Sequence, residues 1–112
     1  KKLDAPSGTS ISIANAVSDA KNKPFMKVKS DVNKIEETTG NNSAGVNIHS
    51  LMLPGVIAKH ELIFGAQGEN LSIIHNSSDR ESFMPWVLIA VDHVIENNEI
   101  VIGLEKILGL WK

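Results

Sequence analysis

The middle of the chain, residues 46–76, reads VNIHSLMLPGVIAKHELIFGAQGENLSIIHN. Apolar and polar residues alternate along much of this stretch, which is the pattern of half-buried β-strands. Three strands are expected, over residues 46–52, 56–64 and 71–76. Pro54-Gly55 is expected to form a turn after the first, and residues 65–70, which hold two glycines, form the next connection. Because such short connections join antiparallel neighbours, we expect an antiparallel meander.

The strand pattern also predicts which side chains share a face. The second strand is expected to carry Ala58, His60, Leu62 and Phe64 on one face. Apolar residues occur on the opposite faces as well, namely Leu51, Ile57 and Ile63. A second apolar face of this kind needs cover from another part of an assembly.

An amphipathic helix is expected before the strands, over residues 8–21. Ser7 is the expected N-cap, because its side chain can accept a hydrogen bond from a free N–H of the first turn. Asn22 and Pro24 should end the helix. Apolar residues recur at three- and four-residue spacing, at Ile13, Ala16, Val17 and Ala20.

A second helix is expected after the strands, beginning near Ser78, which has the capping-box spacing to Glu81. Pro85 would remove a hydrogen bond inside such a helix, so we expect a kink there or a start nearer Ser82. Residues 100–110 should form a short strand or turn and a final helical turn. The face toward the sheet should carry Phe83, Val87, Val91, Val94 and Ile95.

The order of these elements predicts the fold class. Residues 24–43 are polar and lysine-rich and are expected to form a long loop, with at most a short strand at residues 26–28. Because strands cluster between helices instead of alternating with them, we expect an α+β fold. The prediction is a single domain over residues 1–112, with a mixed or mostly antiparallel sheet of about four strands covered by two helices.

Composition excludes several classes of function. The 112 residues carry 11 basic and 13 acidic side chains, a net charge of −2, which argues against a general attraction to nucleic acid or anionic membranes. Residues 1–40 hold seven lysines against five acids, so this part either favours an anionic ligand or is a solvated lysine-rich face. The absence of cysteine excludes disulfides and thiolate metal sites and fits a reducing cytoplasm. Residues 86–91, the longest apolar run, are too few to span a bilayer, and no signal peptide is visible.

The residue types with the clearest chemistry lie in residues 2–9, which read KLDAPSGT. Backbone N–H groups in the first turn of a helix have no internal partner and lie at the positive end of the helix dipole. Gly8 lets an anion approach closely, Thr9 adds a hydroxyl donor, and Lys2 can fold back over the same anion. These residues form either a carboxylate or phosphate site, or only a capped helix after a proline turn with Lys2 in solvent.

This segment resembles the signature Lys-x-Asp-Ala-Pro-Ser-Gly-Thr of the 4-hydroxy-tetrahydrodipicolinate reductases, also called dihydrodipicolinate reductases. Further segments resemble that family in the expected order: GVNIHS at 45–50, HELIFG at 60–65, HNSSDRESF at 75–83 and the closing residues 104–110. The resemblance covers nearly the whole chain, and the first motif is the most specific.

The resemblance implies an oxidoreductase of lysine and diaminopimelate biosynthesis, in which NADPH or NADH delivers hydride to a cyclic dicarboxylate. It implies that Lys2 is a catalytic proton donor and that Gly8 and Thr9 bind a substrate carboxylate. Hydride addition leaves negative charge that such a donor must quench. It also places Arg80 and Phe83 near the nicotinamide and substrate cleft; without it, they fit an ion pair at a helix entry and a core aromatic.

The resemblance further implies the C-terminal substrate-binding and tetramerisation domain of a two-domain cytoplasmic enzyme that forms a homotetramer. A His-His pair, with one catalytic His, is expected upstream of Lys2, and a glycine-rich loop is expected in an N-terminal dinucleotide-binding domain. Only Lys1 precedes Lys2 here, and no Gly-x-Gly-x-x-Gly occurs. No cofactor-binding residue is therefore expected within these residues, and the chain alone is expected to be inactive.

The remaining candidates have plainer interpretations. Trp86 and Trp111 are expected to be core or subunit contacts. Two alternatives from other classes stay open: a non-catalytic anion-binding module that uses Gly8 and Thr9, and a purely structural oligomerisation domain. Structural or hydrogen-bonding roles, and no metal site, are expected for the four histidines, which match no standard zinc spacing: His49, His60, His75 and His93.

Overall fold

The structure, a computed structural model, describes residues 4–23, 25–26, 28, 30–36 and 38–110. Backbone contacts divide the chain into two compact units, Lys1–Pro54 (unit 1) and Gly55–Lys112 (unit 2), each of which is described by itself. The elements of unit 1 are α1 (Gly8–Ala20), β1 (Asn41–Ser43) and β2 (Val46–Ile48). Those of unit 2 are β3 (Ala58–Ala66), β4 (Glu69–Ser77), a 3-10 helix (Arg80–Phe83), α2 (Met84–Glu96) and α3 (Leu104–Ile107). The predicted α+β class is confirmed, and the described strands pair antiparallel.

The first helix forms where the sequence predicts it. α1 begins at Gly8 and ends at Ala20, with Lys21 as the C-cap. Ser7 is the N-cap, as expected: its backbone is extended, with φ −69° and ψ 151°, and its side chain accepts a hydrogen bond from Ser10 N–H.

The inward face of α1 is narrower than the predicted one. Ala14 is 2% exposed, and Ile13 and Val17 are half-buried beside it. Ala16 and Ala20, which the spacing places inward, are exposed, so that part of the prediction is wrong. α1 lies against β1 and β2, and strands of three residues each can cover only a narrow stripe of a helix.

The β1–β2 hairpin occupies a segment that the sequence assigns partly to a loop. Its turn residues, Ala44 and Gly45, have φ values of 50° and 83°, as a two-residue type I′ turn requires. The side chain of Asn42 closes the turn, because its Oδ1 accepts a hydrogen bond from Gly45 N–H at 3.2 Å. β1 was missed because Asn41–Ser43 is entirely polar, and only its pairing with β2 makes it a strand.

Other expectations for unit 1 hold only in part. Met26 and Val28 do not lie in a strand, and residue 27 is outside the described residues. β2 ends at Ile48 instead of continuing to residue 52. The ladder stops there because Gly40, which would pair next, has φ 72° and leaves the extended conformation.

Unit 2 contains a longer antiparallel hairpin. β3 and β4 pair over nine residues each, from Ala58 opposite Ser77 to Ala66 opposite Glu69. The predicted alternation along β3 is confirmed, because its inward residues are half-buried, namely Ala58, His60, Leu62 and Phe64. β4 is exposed along its length except at Ser77, which is 5% exposed.

The four described strands form two separate two-stranded sheets, β1–β2 and β3–β4, instead of one sheet of about four strands. The predicted meander is therefore wrong at one junction, because β2 pairs with β1 and not with β3. The sequence could not indicate this pairing, since β1 carries no alternation of apolar and polar residues.

The entry to α2 differs from the predicted capping box. The cap of the 3-10 helix is Asp79 instead of Ser78, and its Oδ1 accepts a hydrogen bond from Glu81 N–H at 2.9 Å. α2 begins at Met84, so Pro85 lies in the first turn, where its missing N–H leaves no bond unmade. Of the two expectations, the kink is absent, and the start near Ser82 is close to the observed start at Met84.

The predicted inward face of α2 is wrong. Its residues are all exposed, namely Phe83, Val87, Val91, Val94 and Ile95. The half-buried positions are Ile89, Ala90 and His93, and α2 contacts the 3-10 helix and α3. Because α2 is apolar nearly all round, its sequence provides no period from which to choose a face. α3 confirms the expected final helical turn, and residues 100–103 form no strand.

Candidate functional site

Two serines, Ser7 and Ser10, form the N-terminal cap of α1. The Oγ of Ser7 accepts a hydrogen bond from Ser10 N–H at 3.2 Å, and its carbonyl accepts one from Ile11 N–H at 3.2 Å. The two hydroxyls of Ser7 and Ser10 lie 2.9 Å apart and share a further hydrogen bond. These contacts satisfy the third and fourth N–H groups of the helix and leave the first two N–H groups without a hydrogen-bond partner among the described residues.

The two remaining N–H groups belong to Gly8 and Thr9. Neither donates a hydrogen bond to another described residue, and both residues are exposed. A Cβ added at Gly8 would meet nothing within 4 Å, so the space in front of this turn is open. With no acidic residue in the first turn, the positive end of the helix dipole is uncompensated there. The arrangement can therefore accept an anion through two backbone N–H groups and the Thr9 hydroxyl.

The predicted proton donor, Lys2, lies outside the described residues. Asp4, Ala5 and Pro6, which lead from it into the cap, are exposed, and the Ala5–Pro6 peptide is cis. The role of Lys2 stays a prediction.

The other predicted pair, Arg80 and Phe83, lies on one turn of the 3-10 helix in unit 2. Arg80 is exposed and forms no salt bridge with a described carboxylate, so the expected ion pair at the helix entry is not present there. Phe83 is 36% exposed, which does not fit a core aromatic. Ser82 holds the turn, because its Oγ donates to the Asp79 carbonyl at 2.7 Å.

Sequence reasoning missed two polar residues. Ser10 completes the cap of α1, and its position three residues after Ser7 was the available signal. Ser77, at the end of β4, is the buried polar residue of the described chain. No pattern in the sequence marked Ser77 as buried, because strand pairing with Ala58 sets its environment.

An open pocket of about 400 Å³ lies elsewhere in unit 1, at the C-terminal end of α1. Lys21 and Lys23 line it, and Lys21 Nζ sits 3.9 Å from the centroid of the Phe25 ring. None of the predicted site residues contributes to this pocket.

Two further properties concern the described part of the chain. No group of three or more histidine, aspartate or glutamate side chains is placed there to hold a metal ion. No helix in that part has the length and apolar content needed to cross a membrane.

Comparisons with known proteins agree on one family. Residues 1–108 match the family described as dihydrodipicolinate reductase, C-terminus. The chain is 44% identical over 112 residues to the 4-hydroxy-tetrahydrodipicolinate reductase of Legionella pneumophila, covering 96% of this chain and 44% of that protein. It is 40% identical over 108 residues to the protein of the same name from Streptococcus uberis, covering 96% of this chain and 42% of that protein.

A solved structure, described as dipicolinate bound dihydrodipicolinate reductase from Paenisporosarcina sp. TG-14, is also similar. The TM-score is 0.78 at 35% identity, and the similarity covers 94% of this chain and 40% of that one. The chain thus spans less than half the length of the relatives it matches. Because the family match extends over nearly all of its residues, the chain belongs to the family of dihydrodipicolinate reductase C-terminal domains.

Proposed function

We propose that this chain is the substrate-binding part of a 4-hydroxy-tetrahydrodipicolinate reductase, an NAD(P)H-dependent oxidoreductase of lysine and diaminopimelate biosynthesis. The observation that carries the proposal is the capped start of α1, where the N–H groups of Gly8 and Thr9 donate to no described residue and both residues are exposed. A carboxylate is the ligand that such a helix end favours. The substrate of this reaction is a cyclic dicarboxylate.

The relatives support this assignment. Legionella pneumophila and Streptococcus uberis proteins with 44% and 40% identity carry the name of this reductase. The similar structure from Paenisporosarcina is described as bound to dipicolinate, a planar dicarboxylate. The helix end of this chain supplies donors that match one carboxylate of such a molecule.

Within the proposal, Gly8 and Thr9 bind and orient one carboxylate through their N–H groups, and the Thr9 hydroxyl donates a further hydrogen bond. Lys2 acts as the proton donor to the reduced substrate. Arg80 and Phe83 of unit 2 stay candidate cleft-lining residues within the proposal. Held in this way, the dicarboxylate loses rotational freedom, which is how a positioning site contributes to rate.

The described residues do not fit a dinucleotide. No glycine-rich loop in them leads from a strand into a helix, and α1 follows the irregular residues 4–7 instead of a strand. The pyridine nucleotide, NADPH or NADH, therefore enters the proposal as a requirement of the family, bound by a separate dinucleotide-binding domain. We derive no hydride-transfer step from this chain.

The proposal includes assembly and location. We propose that both units act as one substrate-binding and oligomerisation domain of a cytoplasmic homotetramer. Exposed apolar side chains support the assembly, since Leu51, Ile57 and Ile63 are all exposed in the single chain. Cell fractionation would test the location directly.

Titration of the intact reductase with pyridine-2,6-dicarboxylate, followed by calorimetry, tests the function. We expect saturable binding that weakens when Lys2 is replaced by Ala, because the cationic group is lost. Amide-resolved NMR of the 112-residue chain should then place the largest shifts at Gly8 and Thr9. If the intact protein binds the dicarboxylate while these two amides and Lys2→Ala have no effect, the helix-end site is wrong.

The same titration separates the proposal from a non-catalytic anion-binding module, which the open helix end alone would also permit. A reductase site should discriminate between the dicarboxylate and inorganic phosphate, since two carboxylates are recognised at a fixed separation. Equal affinity for phosphate, together with no oxidation of NADPH or NADH in the presence of substrate, would favour the module.

A further inference from the structure

Two histidines that are fifteen positions apart in sequence meet directly across the β3–β4 hairpin. His60 on β3 and His75 on β4 are partners in the antiparallel register. Directly opposed residues share one face of the sheet, and their Cβ atoms lie about 4.5–5.5 Å apart. The two imidazoles therefore project side by side from the same face.

The residue pairs on either side of the two histidines, on the same face of the hairpin, carry no charge. The neighbouring pairs are Ala58 with Ser77 and Leu62 with Ile73, and none of these side chains is charged. The nearest charged residues of β3 occupy the opposite face, where Lys59 Nζ lies 3.8 Å from Glu61 Oε2.

Both rings also have unused nitrogen atoms. Within the described ranges, neither imidazole forms a hydrogen bond or a salt bridge with another residue. His75 is exposed, and His60 is half-buried, so solvent reaches the pair. By contrast, the ring of His93 on α2 shares a hydrogen bond with the Asn97 side chain at 3.3 Å.

Paired imidazoles of this geometry are ligands for a transition-metal ion. Imidazole nitrogen binds such ions at about 2.0–2.1 Å, which requires two ligating nitrogens to lie roughly 3.3 Å apart in a tetrahedral site. Side chains whose Cβ atoms are about 5 Å apart can reach that separation by rotation about χ1 and χ2. Neutral imidazole suits Zn²⁺, Ni²⁺ and Cu²⁺ and does not suit Mg²⁺ or Ca²⁺, which prefer oxygen ligands.

We propose that His60 and His75 form a two-histidine chelate for a divalent transition-metal ion, with water in the remaining coordination positions. A metal ion bound there would cross-link β3 and β4. The site is independent of the proposed reductase function. It needs no third protein ligand, which agrees with the absence of larger clusters among the described residues.

The test is a titration of the intact protein, stripped of metal, with Zn²⁺ by calorimetry and with Cu²⁺ by electron paramagnetic resonance. We expect one site per chain for which Cu²⁺ competes more strongly than Zn²⁺, with hyperfine splitting from two nitrogens. His60→Gln and His75→Gln should each weaken Zn²⁺ binding about tenfold or more, because the chelate becomes a single ligand. Mg²⁺ at the same concentrations should produce no binding heat.

His93→Gln in the same unit is the matched control and should leave the affinity unchanged. Because His75 is exposed, its replacement should not disturb folding, and far-ultraviolet circular dichroism of each variant checks this. Zn²⁺ should also raise the unfolding temperature of the wild type and not that of His75→Gln. Unchanged affinity in folded His75→Gln, or no saturable Zn²⁺ binding to the wild type, overturns the proposal.

Discussion

The cap at Ser7 stabilises α1 without using the N–H groups that would bind an anion. Its hydroxyl satisfies Ser10 N–H, which stabilises α1, and it leaves the N–H groups of Gly8 and Thr9 for a ligand. Stability of the helix and affinity for an anion therefore depend on different atoms of neighbouring residues. Substitutions at Ser7 and Thr9 can change one without the other.

Replacing Ser7 with Asp should keep the helix and weaken dicarboxylate binding. Asp caps a helix as well as Ser does. Its negative charge, placed beside Gly8 and Thr9, repels an incoming carboxylate by about 1–4 kcal/mol at a separation of a few ångströms. Calorimetric titration with pyridine-2,6-dicarboxylate measures the effect.

Ser7→Asn is the uncharged control, because Asn caps equally well. It should bind the dicarboxylate with nearly wild-type affinity. Equal affinity of Ser7→Asp and Ser7→Asn would mean that the anion does not bind at this helix end.

Replacing Thr9 with Val should weaken binding by about 1.5–3 kcal/mol, the usual contribution of a hydrogen bond to a charged group. Val preserves the shape of the side chain and the backbone N–H, so only the hydroxyl donor is lost. Thr9→Ser retains the hydroxyl and should stay close to wild type in the same titration. A loss of affinity in Thr9→Ser that equals the loss in Thr9→Val would show that shape, not the hydroxyl, matters.

At the scale of elements, the β1–β2 hairpin supports α1 and depends on its turn. Its strands have three residues each, so the turn contributes a large part of its specificity. Ala44 adopts φ 50°, a conformation that costs an L-residue with a Cβ about 1–2 kcal/mol. The turn lies near the C-terminal end of α1, where Ala44 and Gly45 line the same pocket as Ser18 and Lys21.

Changing Ala44 to Asn should stabilise the chain by about 1 kcal/mol, because Asn-Gly is the preferred pair in a type I′ turn. Gly45→Ala should destabilise it by about 1–2 kcal/mol, since φ is 83° at this position. A Cβ there would lie 3.5 Å from Phe25 Cδ2, an ordinary contact, so strain and not a clash is the cause. Urea unfolding measures both changes.

The two substitutions form a matched pair, because they act on adjacent residues of one turn in opposite directions. If Ala44→Asn leaves the unfolding midpoint unchanged while Gly45→Ala lowers it, the strain at Ala44 is absent in solution.

At the scale of the whole molecule, the notable property is how little apolar surface the single chain buries. Ala14 and Ser77 are the buried residues of the described part, and large apolar side chains on β3, β4 and α2 remain exposed. Exposed apolar area of this extent marks surfaces that other subunits or domains cover. The proposed assembly is therefore expected to contribute to the stability of the chain.

Replacing Ile63 with Lys should dissociate the proposed homotetramer. Ile63 is 67% exposed on β3, on the face opposite to His60, so the single chain tolerates the change while an interface would bury an unpaired charge. Light scattering coupled to size-exclusion chromatography measures the mass. Asn98→Lys, at an exposed polar position of unit 2, introduces the same side chain and should leave the mass unchanged.

A wild-type mass for Ile63→Lys would remove this face from the interface. If the assembly does cover it, the unfolding temperature of the wild type should also rise with protein concentration, because association stabilises the folded chain by mass action.

Much of the fold follows from local signals in the sequence. The start of α1 follows from Ser7, and the inward face of β3 follows from strict alternation, because both depend on residues within a few positions of each other. The signature in residues 2–9 is sufficient by itself to indicate the family. Gly8 and Thr9 were predicted as donors from their place in the first turn, and the structure describes them as exposed and open.

Pairing over long distances in sequence could not be predicted in this way. β1 has no apolar alternation, α2 is apolar nearly all round, and Pro85 fits a first turn as readily as it breaks an interior one. In each case several arrangements agree with the local sequence, and only contacts between distant residues select one.

The histidines show the same difference between what the local sequence predicts and what long-range pairing decides. Their spacing in sequence matches no metal motif, so sequence reasoning gave them structural roles. The register of β3 against β4 places His60 opposite His75, and that register depends on the turn at Gln67 and Gly68 and on the alternation of two whole strands. Local composition and motif therefore sufficed for the family, the first helix and the candidate anion-binding turn. The two-sheet arrangement, the face of α2 and the paired histidines were decided by tertiary structure, because strand pairing and packing depend on residues that are far apart in the chain.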